Sequence, residues 1–298
     1  MPVRALAIVN SAAGRGTARA DVGALLELLR ERFDAIDVVE TGLEHPTATE
    51  LGARAVAERY DVAIVAGGDG TVGDVARALV GTGVTLGILP FGTFMNIARA
   101  LEIPRDDPRA AAEIIAGSAA RAIDVGAVGG HLFLEAAGVG LDADMLTAGR
   151  ALQHGERGLA VAAIGALLRR RGARVRIDVD GRTHTHRVLQ AVVCNGPWYG
   201  WGFSVAPDAA IDDGLLDLVV FGDSRWQVLR EVVAAAIHHD RPARARRYRG
   251  KRITLSATRE LAVHADAQVV GNLPQTFTVR PNALKVFAPP PGSPVKRV

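Results

Sequence analysis

Over the first 120 residues, short apolar runs alternate with segments of helical spacing. Val3 to Val9 reads as a buried strand, after which Val22, Leu25, Leu26, Leu29 and Phe33 recur at helical intervals. Ile36 to Val39 is a second strand. The next helix starts near Thr47, where Thr47 and Glu50 stand at capping-box spacing. Val62 to Ala66 is a third strand, Thr71 to Leu79 is helical, Thr85 to Leu89 is a fourth strand, and Thr93 to Leu101 is helical again. Such alternation predicts a parallel sheet with helices on its faces.

The pattern changes after about Arg121. Strand-length segments now dominate, at 121–128, 131–137, 174–180, 186–194, 201–205, 215–221, 252–257, 261–265 and 275–280. Two helical segments interrupt them, Gly158 to Arg170 and Ser224 to Ile237. Turn pairs such as Asp180-Gly181 and Asp213-Gly214 punctuate the strands and predict an antiparallel β-sandwich. A last strand, Ala283 to Ala288, precedes a proline-rich tail expected to pack loosely. The fold class is α/β plus all-β: a three-layer α/β domain with a parallel sheet, then an antiparallel β-sandwich.

Composition narrows the class. The 298 residues are 49% hydrophobic, enough for a substantial core without disulfides, and fit two modest domains or one large one. Cys194 is the single cysteine, which excludes an intramolecular disulfide and a cysteine-based zinc site and makes a reducing, cytoplasmic compartment the expected home. No apolar run approaches the ~20 residues of a membrane helix. The net charge is only +3, yet basic residues clump at Arg169, Arg170, Arg171, Arg174 and Arg176 and again from Arg241 to Arg252. These clusters read as solvated helix ends and loops, or as a surface for anionic lipid headgroups. Aromatic residues do not interleave with them as a nucleic-acid stacking platform requires.

Three glycine-rich turns fall at the carboxyl ends of the first, third and fourth strands, the edge where open α/β sheets bind ligands. They are Asn10-Ser11-Ala12-Ala13-Gly14-Arg15-Gly16, Gly67-Gly68-Asp69-Gly70-Thr71 and Pro90-Phe91-Gly92-Thr93. Glycine lets backbone approach a phosphate, and a following helix offers free N–H groups and a positive dipole end. Thr71 and Thr93 are expected as N-caps, and Arg15 as a phosphate-side cation. The first turn lacks the Gly-Lys-Ser/Thr ending of a Walker A loop, and its glycines at 14 and 16 lack the third of a dinucleotide fingerprint at 19, where Arg19 stands. Asp69 is the informative residue. A carboxylate among phosphate-binding glycines implies an intervening divalent cation or hydroxyl nucleophile, as in phosphoryl transfer, or else a turn or cap role.

Gly67-Gly68-Asp69-Gly70-Thr71, followed by Leu89-Pro90-Phe91-Gly92-Thr93 and Ala98-Arg99, resembles the catalytic-domain signature of diacylglycerol kinases, sphingosine kinases and bacterial lipid kinases. The resemblance continues through Ile123-Asp124-Val125-Gly126, Ala137-Gly138-Val139-Gly140-Leu141-Asp142-Ala143, Asp212-Asp213-Gly214-Leu215-Leu216-Asp217 and Ala265-Asp266-Ala267-Gln268. It implies a nucleotide-binding α/β domain over 1–125 to which 281–298 returns, and a substrate domain over 126–280. It implies ATP as phosphoryl donor, with Asn10, Thr41, Gly67, Gly68, Asp69, Gly70, Thr71, Val72, Gly73 and Thr93 as nucleotide contacts. It implies Mg2+ held by the side chain of Asp213 with the carbonyls of Ala210 and Leu215, an oxygen-only set suited to magnesium. The acceptor it implies is a membrane lipid, reached by peripheral contact with an anionic surface, with no nucleic-acid partner; a homodimer stays open.

Several positions depart from that pattern. Ser11 replaces a frequent Pro, Val72-Gly73-Asp74 follows where x-Asn-Glu is common, Met95 stands for Asn with Asn96 next, and Glu135 replaces a frequent Asn. The largest departure is Gln268, where the family's general base is Glu. Glutamine donates and accepts hydrogen bonds but cannot hold a proton at neutral pH. Asp69 or Asp266 is then left to take the acceptor's proton. The chain is otherwise an impaired binder of nucleotide or lipid, or less consistently an NAD-kinase-like enzyme.

Smaller signals have bland readings beside functional ones. His184 and His186 share one strand face, as metal ligands or as hairpin histidines, and His238-His239 suit a helix end. Cys194 reads as core packing. Pro197-Trp198-Tyr199-Gly200-Trp201 faces lipid or packs in the sandwich, and Leu159 to Leu168 lines an acyl groove or packs as an ordinary helix.

Overall fold

The computed structural model describes residues 3–13, 18–42, 44–140, 172–200, 202–222, 245–266 and 268–292. The helical segments expected at 158–170 and 224–237 lie outside these residues. So do Gly14, Arg15, Gly16, Leu141-Asp142-Ala143, Arg169 to Arg171, Trp201, His238-His239, Arg241, Arg244, Ala267 and the end of the tail. Two units divide the chain, one formed by 1–125 with 281–298 and the other by 126–280.

In the first unit the elements run β1 (Arg4–Asn10), α1 (Ala18–Leu29), β2 (Ala35–Thr41), α2 (Ala48–Ala57), β3 (Val62–Gly67), α3 (Asp69–Leu79), β4 (Thr85–Pro90), α4 (Asn96–Ala100) and α5 (Pro108–Gly117). The strands are parallel in the order β2-β1-β3-β4. β3 is buried along its whole length and β4 nearly so, which explains their unbroken apolar runs, whereas β2 is an edge strand with exposed positions. α1 packs beside α5, and α2 beside α3, giving the three layers. The capping box at α2 forms: the Glu50 N–H donates to Thr47 Oγ1 at 3.2 Å, and the Thr47 N–H donates to Glu50 Oε2 at 2.8 Å.

α5 has no counterpart in the sequence reading. Its signal is Asp107, whose side chain accepts from the Ala110 N–H at 2.9 Å, with Pro108 at the first helical position.

The described residues continue with β5 (Ala120–Val128), β6 (His131–Phe133), β7 (Ala136–Gly140), β8 (Ala173–Val179), β9 (Arg182–Val188), β10 (Gln190–Cys194), β11 (Trp198–Tyr199), β12 (Phe203–Ser204) and β13 (Leu216–Phe221). There follow β14 (Arg246–Gly250), β15 (Arg252–Ala257), β16 (Ala262–Ala265), β17 (Gln268–Asn272) and β18 (Gln275–Phe287). One layer of the second unit is built on β18-β15-β8-β9, the other is β14-β13-β10-β7-β16-β17. Val175, Ile177, Ile253, Leu255 and Phe277 from the first layer meet Ala137, Val139, Val193, Leu218 and Val263 from the second, forming the sandwich core. The second layer's outer face buries Cys194 with Val192, Val219, Val205 and Ala206.

Several strand boundaries differ from expectation. The run 131–137 is two strands, and 186–194 is divided where the chain leaves β9 in one layer for β10 in the other. The strands expected at 275–280 and 283–288 are a single strand, β18. It continues because Asn282 adopts φ +53° and its N–H donates to buried Asp124 Oδ1 at 2.8 Å. The end of β18 pairs in parallel with β4, so the chain end returns to the first unit.

Candidate functional site

In the order β2-β1-β3-β4, the connection after β1 runs to one side and β3 lies on the other. The carboxyl ends of β1 and β3 therefore flank a topological switch point, where open sheets leave a crevice. Asn10 ends β1, and Thr71 sits in the first turn of α3. Asn10 Nδ2 donates to Thr71 Oγ1 at 2.8 Å, across that crevice. Asn10 Oδ1 also accepts the Ala12 N–H at 3.0 Å, shaping the first turn.

The N-cap of α3 is Gly68, not Thr71. Gly68 is extended (φ −90°, ψ 179°), and its carbonyl accepts the Val72 N–H at 3.0 Å, so the helix begins a residue pair earlier than expected. Glycine brings no side chain to cap the helix. The N–H groups of Asp69, Gly70 and Thr71 consequently face the crevice edge without an intrahelical acceptor, at the positive end of the dipole.

The second and third glycine turns are fitted to each other. A Cβ on Gly92 would lie 2.7 Å from Gly68 Cα, and one on Gly67 would lie 2.9 Å from Thr71 Cβ. The Phe91 N–H donates to Gly67 O at 3.0 Å. Gly70 differs: a Cβ there meets nothing within 4 Å, and the residue is exposed. Gly73 lies further along α3, buried, with only the Arg77 side chain near its missing Cβ, and Val72 beside it is core.

Asp69 links these turns. Its Oδ1 accepts the Ile97 N–H at 3.1 Å, with the amides of Asn96 and Met95 also directed at the carboxylate. It thereby caps α4, whose own N-cap residue, Met95, is left-handed (φ +48°) and supplies no side-chain cap. Thr93 is exposed and is not the cap that its spacing predicted. Burial pushes the Asp69 carboxyl up, against the pull of those amides and of the Arg99 charge. Arg99 is thus a cation at this site to which the sequence reading gave no role; its signal was its place in the Ala98-Arg99 pair. Thr41 lies in register with Asn10 on the same edge, but its hydroxyl donates to Pro46 O at 2.8 Å.

In the second unit Asp266 is left-handed (φ +42°) at the end of β16. Its carboxylate accepts the N–H groups of Leu134 at 2.8 Å, Glu135 at 3.0 Å and Ala136 at 3.4 Å, and its own N–H donates to Ala136 O. Buried Asn195 holds the same turn from the other side, donating Nδ2 to Leu134 O at 3.0 Å. Asn195 was missed in the sequence, where only its place after an apolar strand marked it. Asp266 is accordingly a brace of the turn between β6 and β7. Gln268 is exposed at the start of β17, in register with Ala265.

Asp213 folds back so that Oδ1 accepts the Leu215 N–H at 3.0 Å. Its Oδ2 lies 3.3 Å from Arg249, which is bound by two nitrogens to Asp217 at 3.1 to 3.2 Å. One guanidinium between two carboxylates leaves surplus negative charge. With half-buried Ala210 and Leu215 offering only carbonyl oxygen, the residues fit a hard cation such as magnesium. Among the described residues no cluster of three His, Cys, Asp or Glu side chains forms a metal site. His184 and His186 instead pack on Tyr248, whose hydroxyl is 2.5 Å from His186 Nε2. In the aromatic loop, Tyr199 packs against the outer cluster around Cys194.

Residues 4–128 match the diacylglycerol kinase catalytic domain, and residues 136–288 match the YegS C-terminal NAD kinase beta sandwich-like domain. A diacylglycerol kinase of Mycobacterium tuberculosis is 30% identical, covering 95% of this chain and 94% of that protein. A diacylglycerol kinase of Bacillus subtilis is 27% identical over 77% of this chain and 78% of its own. The crystal structure of a diacylglycerol kinase from Bacillus anthracis superposes with a TM-score of 0.77 at 22% identity, covering 96% of this chain and 97% of that one, a likeness of fold.

Proposed function

The chain belongs to the diacylglycerol kinase family, and from that premise we propose that it transfers the γ-phosphoryl group of ATP to the hydroxyl of a lipid, diacylglycerol or one similar. One observation carries this reading: the amino end of α3 has no side-chain cap and opens at the β1/β3 switch point, tied to β1 by the Asn10–Thr71 bond. The amides of Asp69, Gly70 and Thr71 are the phosphate donors in this reading, with Arg99 as a nearby cation. Gly67 and Gly68 let the turn close, Val72 and Gly73 carry the helix behind it, and Thr41 and Thr93 flank the same edge.

Magnesium, when bound, would supply a hard cation that helps position the site, and Asp213 of the second unit with the carbonyls of Ala210 and Leu215 would hold it. Asp69 keeps its two functions distinct: one oxygen caps α4, while the charge of the carboxylate orients the attacking hydroxyl. The acceptor's proton needs a base. Asp266 braces the β6–β7 turn and Gln268 cannot take it; Asp69 also accepts amides, but its burial raises the carboxyl toward proton uptake, and it is the residue we assign. No helix among the described residues is long and apolar enough to cross a membrane. In our reading the lipid is reached from the bilayer surface at the cytoplasmic side.

Gln268 favours a second reading, a family member that binds nucleotide or lipid but turns over slowly, since loss of a general base costs ~10²–10⁴ in rate. Incubation with γ-labelled ATP, magnesium and in turn diacylglycerol micelles, NAD or neither distinguishes these. Labelled phosphatidate supports the kinase reading, ATP affinity without any product supports the second, and labelled NADP would overturn both.

A further inference from the structure

On one side of the sandwich each layer ends in an edge strand, β9 in the first and β14 in the second. Side chains close the seam between them. His184 and His186 of β9 stand opposite the core residues Ile177 and Val175, so both imidazoles turn inward. Arg246 and Tyr248 of β14 stand opposite the core residues Val220 and Leu218, and turn inward from the other layer. The Tyr248 ring covers both histidines, with its centroid 4.7 Å from that of His184 and 6.0 Å from that of His186. Its hydroxyl is hydrogen-bonded to His186 Nε2 at 2.5 Å.

The two ends of this seam differ. At one end Asp180 joins the layers through backbone, where the chain passes from β14 to β15. Its carboxylate accepts the Lys251 N–H at 3.0 Å and the Arg252 N–H at 2.9 Å. At the other end stand half-buried His186 and exposed Arg246. There His186 also lines a groove of about 610 Å³, with Arg174, Arg187 and Arg259 in its walls.

The charged and titratable groups facing His186 are therefore His184 on its own strand, Arg246 and Tyr248 on β14, and the three arginines of the groove. On this face β8 presents only the apolar Val175 and Ile177. Burial, Arg246 and His184 all act against a charge on His186. A neutral imidazole bonds the Tyr248 hydroxyl whichever partner donates, whereas an imidazolium adds a positive charge beside Arg246.

We propose that His186 and Tyr248 form a proton-operated latch on this seam. With the imidazole neutral, the latch holds β9 against β14. With it protonated, the strands separate from the Arg246 end, while Asp180 keeps the other end joined. The latch belongs to the second unit alone and does not depend on phosphoryl transfer. Opening returns the imidazole to water and to its ordinary 6.5, above its value in the closed seam. The seam is therefore closed above pH 6.5 and opens as pH falls from 6.5 through the lower closed value. Uptake of one proton changes the open fraction by up to about tenfold per pH unit in that window.

Fluorine NMR of the whole chain carrying fluorotyrosine tests this, since Tyr248 is one of only three tyrosines and is assigned by the signal missing from Tyr248→Phe. A soluble gadolinium chelate broadens each ring signal according to its exposure. Between about pH 8 and about pH 5.5, broadening of Tyr248 should grow by up to about tenfold per unit once below 6.5. Tyr60, bonded to Asp37 in the first unit, should stay constant. His186→Gln keeps a hydrogen-bond partner for the Tyr248 hydroxyl but takes up no proton, and should stay closed throughout. Arg246→Gln removes one opposing charge, which brings the closed value nearer 6.5 and should flatten the response. A Tyr248 signal equally shielded at both extremes, or an opening unchanged in His186→Gln, would overturn the proposal. So would broadening of all three tyrosines together, which marks global unfolding rather than release of a seam.

Discussion

Asn10 and Thr71 lie 61 positions apart in sequence, yet Asn10 Nδ2 donates to Thr71 Oγ1 at 2.8 Å across the crevice between β1 and β3. The bond fixes the first turn of α3 relative to the end of β1, on the edge where the family's nucleotide is expected. Thr71→Val keeps the shape and removes the acceptor. It should cost about 1 kcal/mol of stability, a typical net hydrogen-bond contribution. It should also raise KM for ATP more than it lowers kcat, as read by denaturant titration and steady-state kinetics on one preparation.

Asp69 separates into a cap and a charge. Asn retains an oxygen able to accept the Ile97 N–H, whereas Ala removes the cap of α4. Asp69→Asn should therefore unfold close to the parent chain, and Asp69→Ala about 1 kcal/mol earlier. Both should lower phosphoryl transfer by at least ~10²-fold. Retained turnover in the Asn variant would remove the carboxylate from the chemistry.

Gly70 is open on its Cβ side and not left-handed, so the fold does not require glycine there. Gly70→Ala should leave stability unchanged or raise it by up to about 1 kcal/mol, the helix-propensity difference. A methyl group beside the free amides of α3 should weaken ATP binding about tenfold or more, which corresponds to about 1.4 kcal/mol.

Gln268 is exposed at the start of β17, where a carboxylate is easily accommodated. Gln268→Glu should leave turnover equal or raise it, up to the ~10²–10⁴-fold range of a restored general base. A substantial loss would show that glutamine at 268 is an adaptation of this chain.

His264 is buried, and its Nδ1 has no hydrogen-bond partner among the described residues. Burial pushes its pKa below the ordinary 6.5, so the unfolded chain binds a proton that the folded chain resists. This contribution to stability is present above pH 6.5 and is lost as pH falls from 6.5 through the lower folded value. Unfolding midpoints measured from about pH 7.5 to pH 5 should fall less steeply for His264→Leu than for the parent chain. His186 is depressed in the same direction by burial, Arg246 and His184, so some slope remains.

Local patterns carried much of this architecture. The buried strands β3 and β4, the Thr47–Glu50 capping box and the second and third glycine turns all depend on residues close in sequence, and each is where the pattern placed it. Edge strands were harder. β14 is Arg-rich and β17 mostly exposed, so neither carries a burial signal. The break between β9 and β10 is invisible in an apolar run that does not reveal which layer each residue faces. Separate strands were expected at 275–280 and 283–288, but β18 is continuous across that gap, where the Asn282 N–H meets Asp124, 158 residues away. The caps were misjudged for the same reason. Thr71 and Thr93 have the right composition, while the actual arrangement is a bare glycine at α3 and a carboxylate from another element at α4.

Calorimetric titration of the intact chain with ATP, with and without magnesium, tests the central claim most directly. The amino end of α3 as a triphosphate site predicts a saturable heat of binding that magnesium strengthens and that Gly70→Ala diminishes. A flat titration in both conditions, from a chain shown to be folded, would contradict it.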